Sequence, residues 1–174
     1  PIFDGVTLTG CNGDQKFWRV EDGAITGEST AENPCKRNTF LIWRLGELDD
    51  FELRLRYRIT AGNSGIQYRS VDRGDWEIGG YQADISADGQ WTGTNYHEHG
   101  RGVLAKRGQK VAVSDGKGQV EALGSLGDPE ELLAKIKPND WNEYRIVARG
   151  RRLIHEINGA VMSDVLDKGE EDFL

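Results

Sequence analysis

The sequence predicts an all-β fold: a sandwich of antiparallel sheets with one short helix. Among its 174 residues are 23 glycines and only 4 prolines, without a collagen-like repeat, which indicates many tight turns and short strands. Residues Phe51 to Ile59 alternate apolar and charged side chains, the pattern of a strand with one face in a core and the other in solvent. Further strand and turn signals follow at short spacing, which favours a β-sandwich over an α/β arrangement.

Paired strands and one helix account for the rest of the predicted elements. The other predicted strands lie, in chain order, at residues 17–20, 24–26, 39–43, 141–148, 153–158 and 160–162. Asn158-Gly159 is the strongest turn signal, because this dipeptide favours a two-residue hairpin. A helix is predicted from Pro129 to Ile136, since Asp128 can cap it and Glu131 stands where a capping box needs it.

Composition limits the classes of function. A net charge of -7 argues against general affinity for nucleic acid or anionic membranes. No run approaches the ~20 apolar residues of a membrane-spanning helix. We expect a single domain over residues 1–174 that lacks its last strand or strands, because the acidic tail at 168–174 stops without one. The start at Pro1, without an initiator Met or signal peptide, is consistent with a processed exported protein or with a fragment.

The two cysteines leave two alternatives open. Cys11 and Cys35 could close a loop of about 25 residues, worth roughly 3–4 kcal/mol on the chain-entropy estimate. They could equally be two free, partly buried thiols.

The most polar part of the chain runs from Gly62 to Gly108. Polar or aromatic residues fall on both sides of the strand alternation, which predicts a wet, concave face that binds a hydroxyl-rich ligand. Four aromatic side chains could stack on a sugar ring, and we expect at least two of them to lie in the core instead: Tyr68, Tyr81, Trp91 and Tyr96. His155 shares a strand face with Leu153 and Ile157, so it is expected in the core or along the concave surface.

Two groups of residues in this part could form a metal site or a catalytic site. His97, Glu98 and His99 could hold a divalent metal with open positions, although their spacing matches no established metal signature. Alternatively, Glu98 and Asp84 form a carboxylate pair for general acid and base catalysis. The sequence contains no nucleophile elbow, P-loop, dinucleotide fingerprint or Cys-x-x-Cys pair.

The order of several segments resembles the 3-keto-disaccharide hydrolase domain family. These segments are FWRVEDGAITGES, NTFLIW, FELRLRYRI, GNSGIQYRS, GGYQADI, GRGVLAKRG, WNEYRIVARG and INGAVMSD. The resemblance implies a concanavalin A-like, laminin G-like jelly roll and a periplasmic or secreted bacterial protein. It also implies cleavage of glycosides that are oxidised to a ketone at C3. Family members usually continue past the SDV segment into one or two further strands, and they tend to carry Trp where this chain has Cys11, which strengthens the disulfide alternative.

This implied substrate suggests a mechanism and a set of site residues. A ketone at C3 acidifies the C2 hydrogen, so a base can remove it, the enolate expels the aglycone, and water adds at C1. Glu98 or His97 would be the base, and Arg101 or a metal held by His97 and His99 would stabilise the enolate. The expected catalytic residues are Glu98, His97, Asp84 and Arg101. The expected sugar-binding residues are Gln67, Tyr68, Arg69, Gln82, Tyr96 and His155. The competing interpretation is a carbohydrate-binding module without activity.

Overall fold

The computed structural model describes residues 1–115 and 119–169. Most of the expected acidic tail, residues 170–174, lies outside the described residues. The described chain forms fourteen strands and one helix. In order they are β1 (Cys11–Asn12), β2 (Trp18–Glu21), β3 (Ala24–Gly27), β4 (Ile42–Trp43), β5 (Phe51–Tyr57), β6 (Asn63–Gly74), β7 (Glu77–Ser86), β8 (Asn95–Glu98), β9 (Gly102–Ala105), β10 (Gln109–Val113), β11 (Val120–Ser125), α1 (Pro129–Leu133), β12 (Asn142–Arg149), β13 (Arg152–Ile157) and β14 (Ala160–Asp167).

These elements divide into two compact units. Unit 1 comprises Pro1–Glu47 with Val71–Gly79, and unit 2 comprises Leu48–Ser70 with the chain from Gly80 onward. Strands β6 and β7 contribute residues to both units. The expectation of one domain over the whole chain stays a prediction, and the two units are described separately.

Unit 2 contains the two large sheets. One has six strands in the order β11-β10-β14-β13-β12-β5, and the other has four in the order β6-β7-β8-β9. The β10–β14 pair is parallel, whereas the pairs β10–β11, β13–β14, β12–β13 and β5–β12 are antiparallel. The predicted all-β, concanavalin A-like jelly-roll sandwich with one short helix is confirmed.

Alternating apolar residues of both sheets form the core of unit 2. The four-stranded sheet contributes Tyr68, Tyr81, Ala83, Ile85 and Leu104, and the six-stranded sheet contributes Ile146, Ala148, Leu153, Ile157 and Val165. The strand predicted at Phe51 to Ile59 is confirmed as β5, although it ends at Tyr57. Its apolar residues face the core, because alternation places every second side chain on one face.

The predicted helix is confirmed but shorter than expected. Asp128 caps it, since its Oδ1 accepts from the backbone N–H groups of Glu130 at 2.9 Å and Glu131 at 3.1 Å. Leu132 is buried in the core cluster. The helix ends at Leu133 because the amides of Lys135 and Ile136 bond to carbonyls three residues back, the tighter geometry of a 3₁₀ turn.

Unit 1 is built from short strands. Strands β2 and β3, predicted at residues 17–20 and 24–26, pair as a hairpin around Asp22-Gly23, where both residues have positive φ, as a type I′ turn requires. The strand predicted from residue 39 is limited to β4, which pairs with β1. Both cysteines are free thiols, and the Cys35 Sγ donates to the Arg37 carbonyl at 2.8 Å. Cys11 and Cys35 therefore do not form a disulfide, and the alternative of two free thiols holds.

No helix among the described residues is long and apolar enough to span a membrane.

Candidate functional site

A cluster of polar side chains covers the outward face of the four-stranded sheet in unit 2. Tyr81 and Ala83 point into the core, so Gln82 and Asp84 point to the opposite face of β7. The register places Gln82 beside Tyr96 and Gly80 beside Glu98 on β8. We call this set the polar face, and its members are Gln67, Gln82, Asp84, Tyr96 and Glu98.

A chain of hydrogen bonds crosses the polar face in one direction. The Ser70 hydroxyl donates to Gln67 Oε1 at 3.1 Å, and Gln67 Nε2 donates to Gln82 Oε1 at 2.8 Å. Gln82 Nε2 then donates to Asp84 Oδ1 at 2.5 Å. We call this chain the amide relay. Each amide nitrogen carries two hydrogens, so Gln67 and Gln82 each keep a second N–H group for a ligand.

Asp84 has the electrostatic character of an acid–base catalyst. It is only 8% exposed, and burial raises its pKa to about 6, against the hydrogen bond from Gln82, which lowers it. The negative charge of Glu98 adds to the increase. A carboxylate with a pKa near neutrality is ionised at pH 7 and is a stronger base than an ordinary aspartate.

Glu98 and Tyr96 complete the polar face beside Asp84. The Glu98 side chain is 14% exposed, and its Oε1 lies 3.8 Å from His99 Nε2. Burial, followed by the charges of Glu98 and Asp84, raises the pKa of Tyr96. The Tyr96 phenol therefore stays protonated at neutral pH and can donate a hydrogen bond.

Two residues that support the polar face, Gly65 and Ser70, were missed at the level of sequence. A Cβ on Gly65 would lie 2.5 Å from Gln82 Cγ, so glycine leaves the space that the Gln82 side chain occupies. Ser70 begins the amide relay. The signal for both was their place within the GNSGIQYRS segment. Ser70 bonds to Gln67 on its own strand, whereas Gly65 faces Gln82 of β7, and sequence does not give that strand pairing.

The structure separates His97 from Glu98. The His97 ring stacks on Tyr81 on the inward face, with ring centroids 5.1 Å apart and planes 17° from parallel. Its Nδ1 accepts from the backbone N–H of Arg101 at 3.3 Å. Because adjacent strand residues face opposite ways, His97 does not lie on the polar face with Glu98, and its expected role as the base there does not fit this geometry.

Tyr68 and His155 also lie inside the sandwich. The Tyr68 hydroxyl is 2.9 Å from His155 Nε2 and accepts from Asn95 Nδ2 at 3.1 Å. His155 is fully buried, and burial lowers its pKa to about 3, so the ring is neutral. A sugar on the surface does not reach either side chain, and we remove both from the binding set. The expectation that two of the four aromatics are core residues is confirmed by Tyr68 and Tyr81.

The two arginines of the predicted site are engaged in structural contacts. Arg101 forms a bidentate ion pair with the buried Asp167, with Nη1 3.0 Å from Oδ1. Arg69, whose side chain is 3% exposed, donates to the carbonyls of Asp49 at 2.8 Å and Gly150 at 2.6 Å. These bonds hold loops of unit 2 together, so we assign neither guanidinium to substrate.

In residues 1–115 and 119–169, no group of three or more His, Cys, Asp and Glu side chains converges as a metal centre would require. Of the expected ligands, His97 stacks on Tyr81, whereas His99 follows the end of β8 with a φ of 57° and places its Nε2 3.8 Å from Glu98 Oε1. No step below is routed through a metal.

The comparisons with known proteins identify a family. The family described as the 3-keto-alpha-glucoside-1,2-lyase-like domain matches residues 1–173. No curated protein matches the sequence significantly.

Solved structures share the fold at low sequence identity. Two candidate glycosyl hydrolases from Parabacteroides distasonis superpose with TM-scores of 0.59 and 0.55 at 20% and 19% identity. The alignments cover 99% and 90% of this chain but 73% and 66% of those chains. A carbohydrate-binding module from Bacillus subtilis superposes with a TM-score of 0.50 at 15% identity, covering 93% of this chain and 82% of the module. At these identities the likeness establishes the fold alone.

Proposed function

Because the chain belongs to the 3-keto-alpha-glucoside-1,2-lyase-like domain family, we propose that it cleaves 3-keto-glycosides or 3-keto-disaccharides at the polar face. The reaction is elimination of the aglycone followed by hydration, which gives net hydrolysis. The observation that carries the proposal is Asp84, a nearly buried carboxylate whose pKa is raised to about 6 by burial and by the charge of Glu98.

Asp84 is the proposed base. Its carboxylate takes the proton from C2, which the neighbouring C3 ketone makes acidic, and the bonding electrons move into the enolate. The C1–O bond then breaks, and its electron pair leaves with the aglycone oxygen. With a pKa of about 6, the protonated Asp84 can return the proton to that oxygen. Asp84 replaces His97 in this role because His97 stacks on Tyr81 inside the sheet.

Tyr96 and the two amides are the proposed electrophiles. A protonated phenol and the second N–H groups of Gln67 and Gln82 can donate hydrogen bonds to the ketone oxygen as it becomes an enolate. Donors that are held in place before the reaction stabilise such charge more effectively than water does, because they need no reorganisation. The amide relay supports this role, since it fixes each side chain through its carbonyl oxygen and through one of the two N–H groups of its Nε2.

Glu98 is proposed to position the water of the second stage. Water adds across the C1–C2 double bond, with hydroxyl to C1 and hydrogen to C2, and so restores the 3-keto sugar. In the first stage the charge of Glu98 keeps the pKa of Asp84 high. Periplasmic or secreted localisation remains part of the proposal and rests on the resemblance drawn from the sequence.

The alternative function is a carbohydrate-binding module without catalysis. It is favoured by the likeness to the Bacillus subtilis module and by Trp91, an aromatic side chain 38% exposed and suited to stacking on a sugar. Under this alternative, the carboxylates only accept hydrogen bonds from hydroxyl groups. Binding of the unoxidised disaccharide without any product from the oxidised one would favour it.

The decisive test is Asp84→Asn assayed on 3-keto-trehalose and on a 3-keto-α-glucoside, with unoxidised trehalose as substrate control. We expect kcat/KM to fall by about 10²- to 10⁴-fold, the usual contribution of a general base, while circular dichroism shows an unchanged fold. Asp88→Asn is the matched control, because Asp88 is exposed and contacts its own turn through Gln90. Full turnover by folded Asp84→Asn would refute the assignment.

A further inference from the structure

Unit 1 contains a cavity of its own with a volume of about 350 Å³. This volume lies at the lower end of the range for small-molecule sites. Phe17 and Trp76, both half-buried, contribute aromatic rings to its lining. The polar face belongs to unit 2, so this cavity is not part of the site described above.

The cavity lining combines apolar rings with balanced charge. Two carboxylates, Asp14 and Asp75, and two cations, Lys36 and Arg37, line it, and Arg37 lies 3.5 Å from Asp75. Opposite charges in equal number favour a ligand without net charge that still offers many hydrogen-bonding groups. An aromatic wall adds a preference for a ligand with one apolar face.

One hydroxyl in the lining lacks a partner. The Oγ1 of Thr39 is buried and has no hydrogen-bond partner among the described residues. Buried polar groups in folded proteins are nearly always paired, and an unpaired one calls for a water or a ligand. Less than 1 Å² of this oxygen is exposed, so an occupant bonds to it once the Thr39 side chain turns its hydroxyl toward the cavity.

The backbone that presents the indole is strained. Asp75 and Trp76 form the turn between β6 and β7, and both have positive φ, of 51° and 58°. Glycine is the usual residue at the second of these positions, and a bulky side chain there persists only where its surroundings hold it. Asn12 accepts from Trp76 Nε1 at 2.8 Å, and the Phe40 N–H donates to the Trp76 carbonyl at 2.9 Å.

From these four observations we propose that the cavity of unit 1 binds a neutral sugar ring. The ring stacks on Trp76 and Phe17, and its hydroxyls bond to Thr39 and to the charged side chains. This inference rests on the proposed function for the class of ligand, since it gives carbohydrate a second site. It does not depend on catalysis at the polar face.

Cys35 provides a direct reporter of occupancy. This thiol is exposed and lines the cavity, whereas Cys11 lies elsewhere in unit 1 and serves as an internal reference. In the test, the full chain is alkylated with iodoacetamide, with and without methyl α-D-glucopyranoside, and mass spectrometry measures both cysteines. We expect saturating sugar to slow alkylation of Cys35 at least threefold, of the order that covering most of a small-molecule site implies, and to leave Cys11 unchanged.

Variants connect the protection to the cavity lining. Thr39→Val keeps the side-chain shape and removes the hydroxyl, so the sugar concentration for half-protection should rise about five- to tenfold, the equivalent of one hydrogen bond. Trp76→Gly relieves the backbone and removes the indole, so protection should disappear. Thr26→Val, on β3 outside the lining, is the matched control, and in this variant the sugar should protect Cys35 as well as it does in the native chain. If the Thr39 and Thr26 variants need the same sugar concentration for half-protection of Cys35, the proposal is overturned.

Further measurements in the same experiment distinguish failure of this inference from failure of the proposed function. Inorganic phosphate should give no protection, and protection by phosphate would make the cavity an anion site instead. If 3-keto-trehalose is cleaved but Cys35 is not protected, only the cavity inference fails. If Cys35 is protected but no glycoside is cleaved, the proposed function fails and the cavity inference stands.

Discussion

The two faces of the four-stranded sheet carry similar residue types but different environments. The inward face presents Tyr68, Tyr81, Asn95 and His97, and the outward face presents Gln67, Gln82, Asp84, Tyr96 and Glu98. Inward polar groups bond to partners from the opposite sheet, as Tyr68 does to His155 and Tyr81 to Asp167. Outward groups bond mainly to one another and keep hydrogen-bonding capacity for a ligand.

This comparison shows that residue type alone does not define a site. Burial affects titratable groups on both faces, but the consequences differ. On the inward side it keeps His155 neutral by lowering its pKa to about 3, and on the outward side it raises the pKa of Asp84 to about 6. Only the second value places the titration of a carboxyl group near neutral pH, on the outward face of the sheet.

The largest expected effect on stability concerns the inward face. Arg101→Met leaves Asp167, which is nearly fully buried, without its cation. Burial alone would raise the pKa of Asp167, but hydrogen bonds from Arg101, Gly169 and Tyr81 outweigh it and lower that pKa. Removing one partner of a buried ion pair typically costs about 3–5 kcal/mol, which urea unfolding would measure.

Arg54→Met is the matched control for this prediction, because its pair with Glu52 is exposed and exposed ion pairs contribute little to stability. If Arg101→Met unfolds like Arg54→Met, the two faces do not differ as described. If the variant is stable in the cold yet loses about 10²-fold or more in kcat, Arg101 belongs to the catalytic set after all.

The second effect concerns the pH dependence of stability at the outward face. The pKa of Asp84 rises from 3.8 to about 6 on folding. Between these two pH values the folded chain therefore holds a proton on Asp84 that the unfolded chain has lost. The stabilisation is complete below pH 4 and is lost as the pH rises through 6, by about 3 kcal/mol. Asp84→Asn should therefore unfold at higher denaturant than the native chain at pH 8, and the difference should vanish near pH 4.

His155→Phe tests a pH dependence of stability that has the opposite sign. Because the pKa of His155 is lowered to about 3 on folding, its contribution is present above pH 6.5 and is lost as the pH falls below that value. The difference in unfolding free energy between His155→Phe and the native chain should thus shrink in acid. A difference for Asp84→Asn that is independent of pH would show that Asp84 is not buried as described.

The smallest expected effect concerns the amide relay. Gln67→Leu removes the donor to Gln82 Oε1 and allows the Gln82 amide to rotate away from Asp84. Since the hydrogen bond from Gln82 lowers the pKa of Asp84, the acid limb of the kcat/KM profile should move upward by less than about one pH unit. Gln90→Leu, at an exposed position, is the control, and an unshifted limb in Gln67→Leu would remove the relay from the mechanism.

Part of the site was predictable from sequence because strand alternation is a local property. Ala83 and Ile85 are apolar and have the same parity as Tyr81, which predicts that Tyr81 is buried and that Gln82 and Asp84 face outward. The prediction of one wet face drew residues of both parities into the candidate site, because it weighed hydrogen-bonding capacity above this parity. Inward polar residues such as Tyr68 find partners only on the opposite sheet, and no local pattern reveals them.

By itself the sequence determined the all-β class, the hairpins, the capped helix and the polar residues among which the site lies, because turn chemistry, capping and alternation act between near neighbours. Tertiary structure decided which of those residues act together. It paired Arg101 with Asp167, separated by 66 positions in the chain, and it brought Gln67 to Gln82 and Asp84 through strand pairing. Electrostatics and hydrogen bonding depend on distance in space, so the acid–base character of Asp84 exists only once the sandwich has formed.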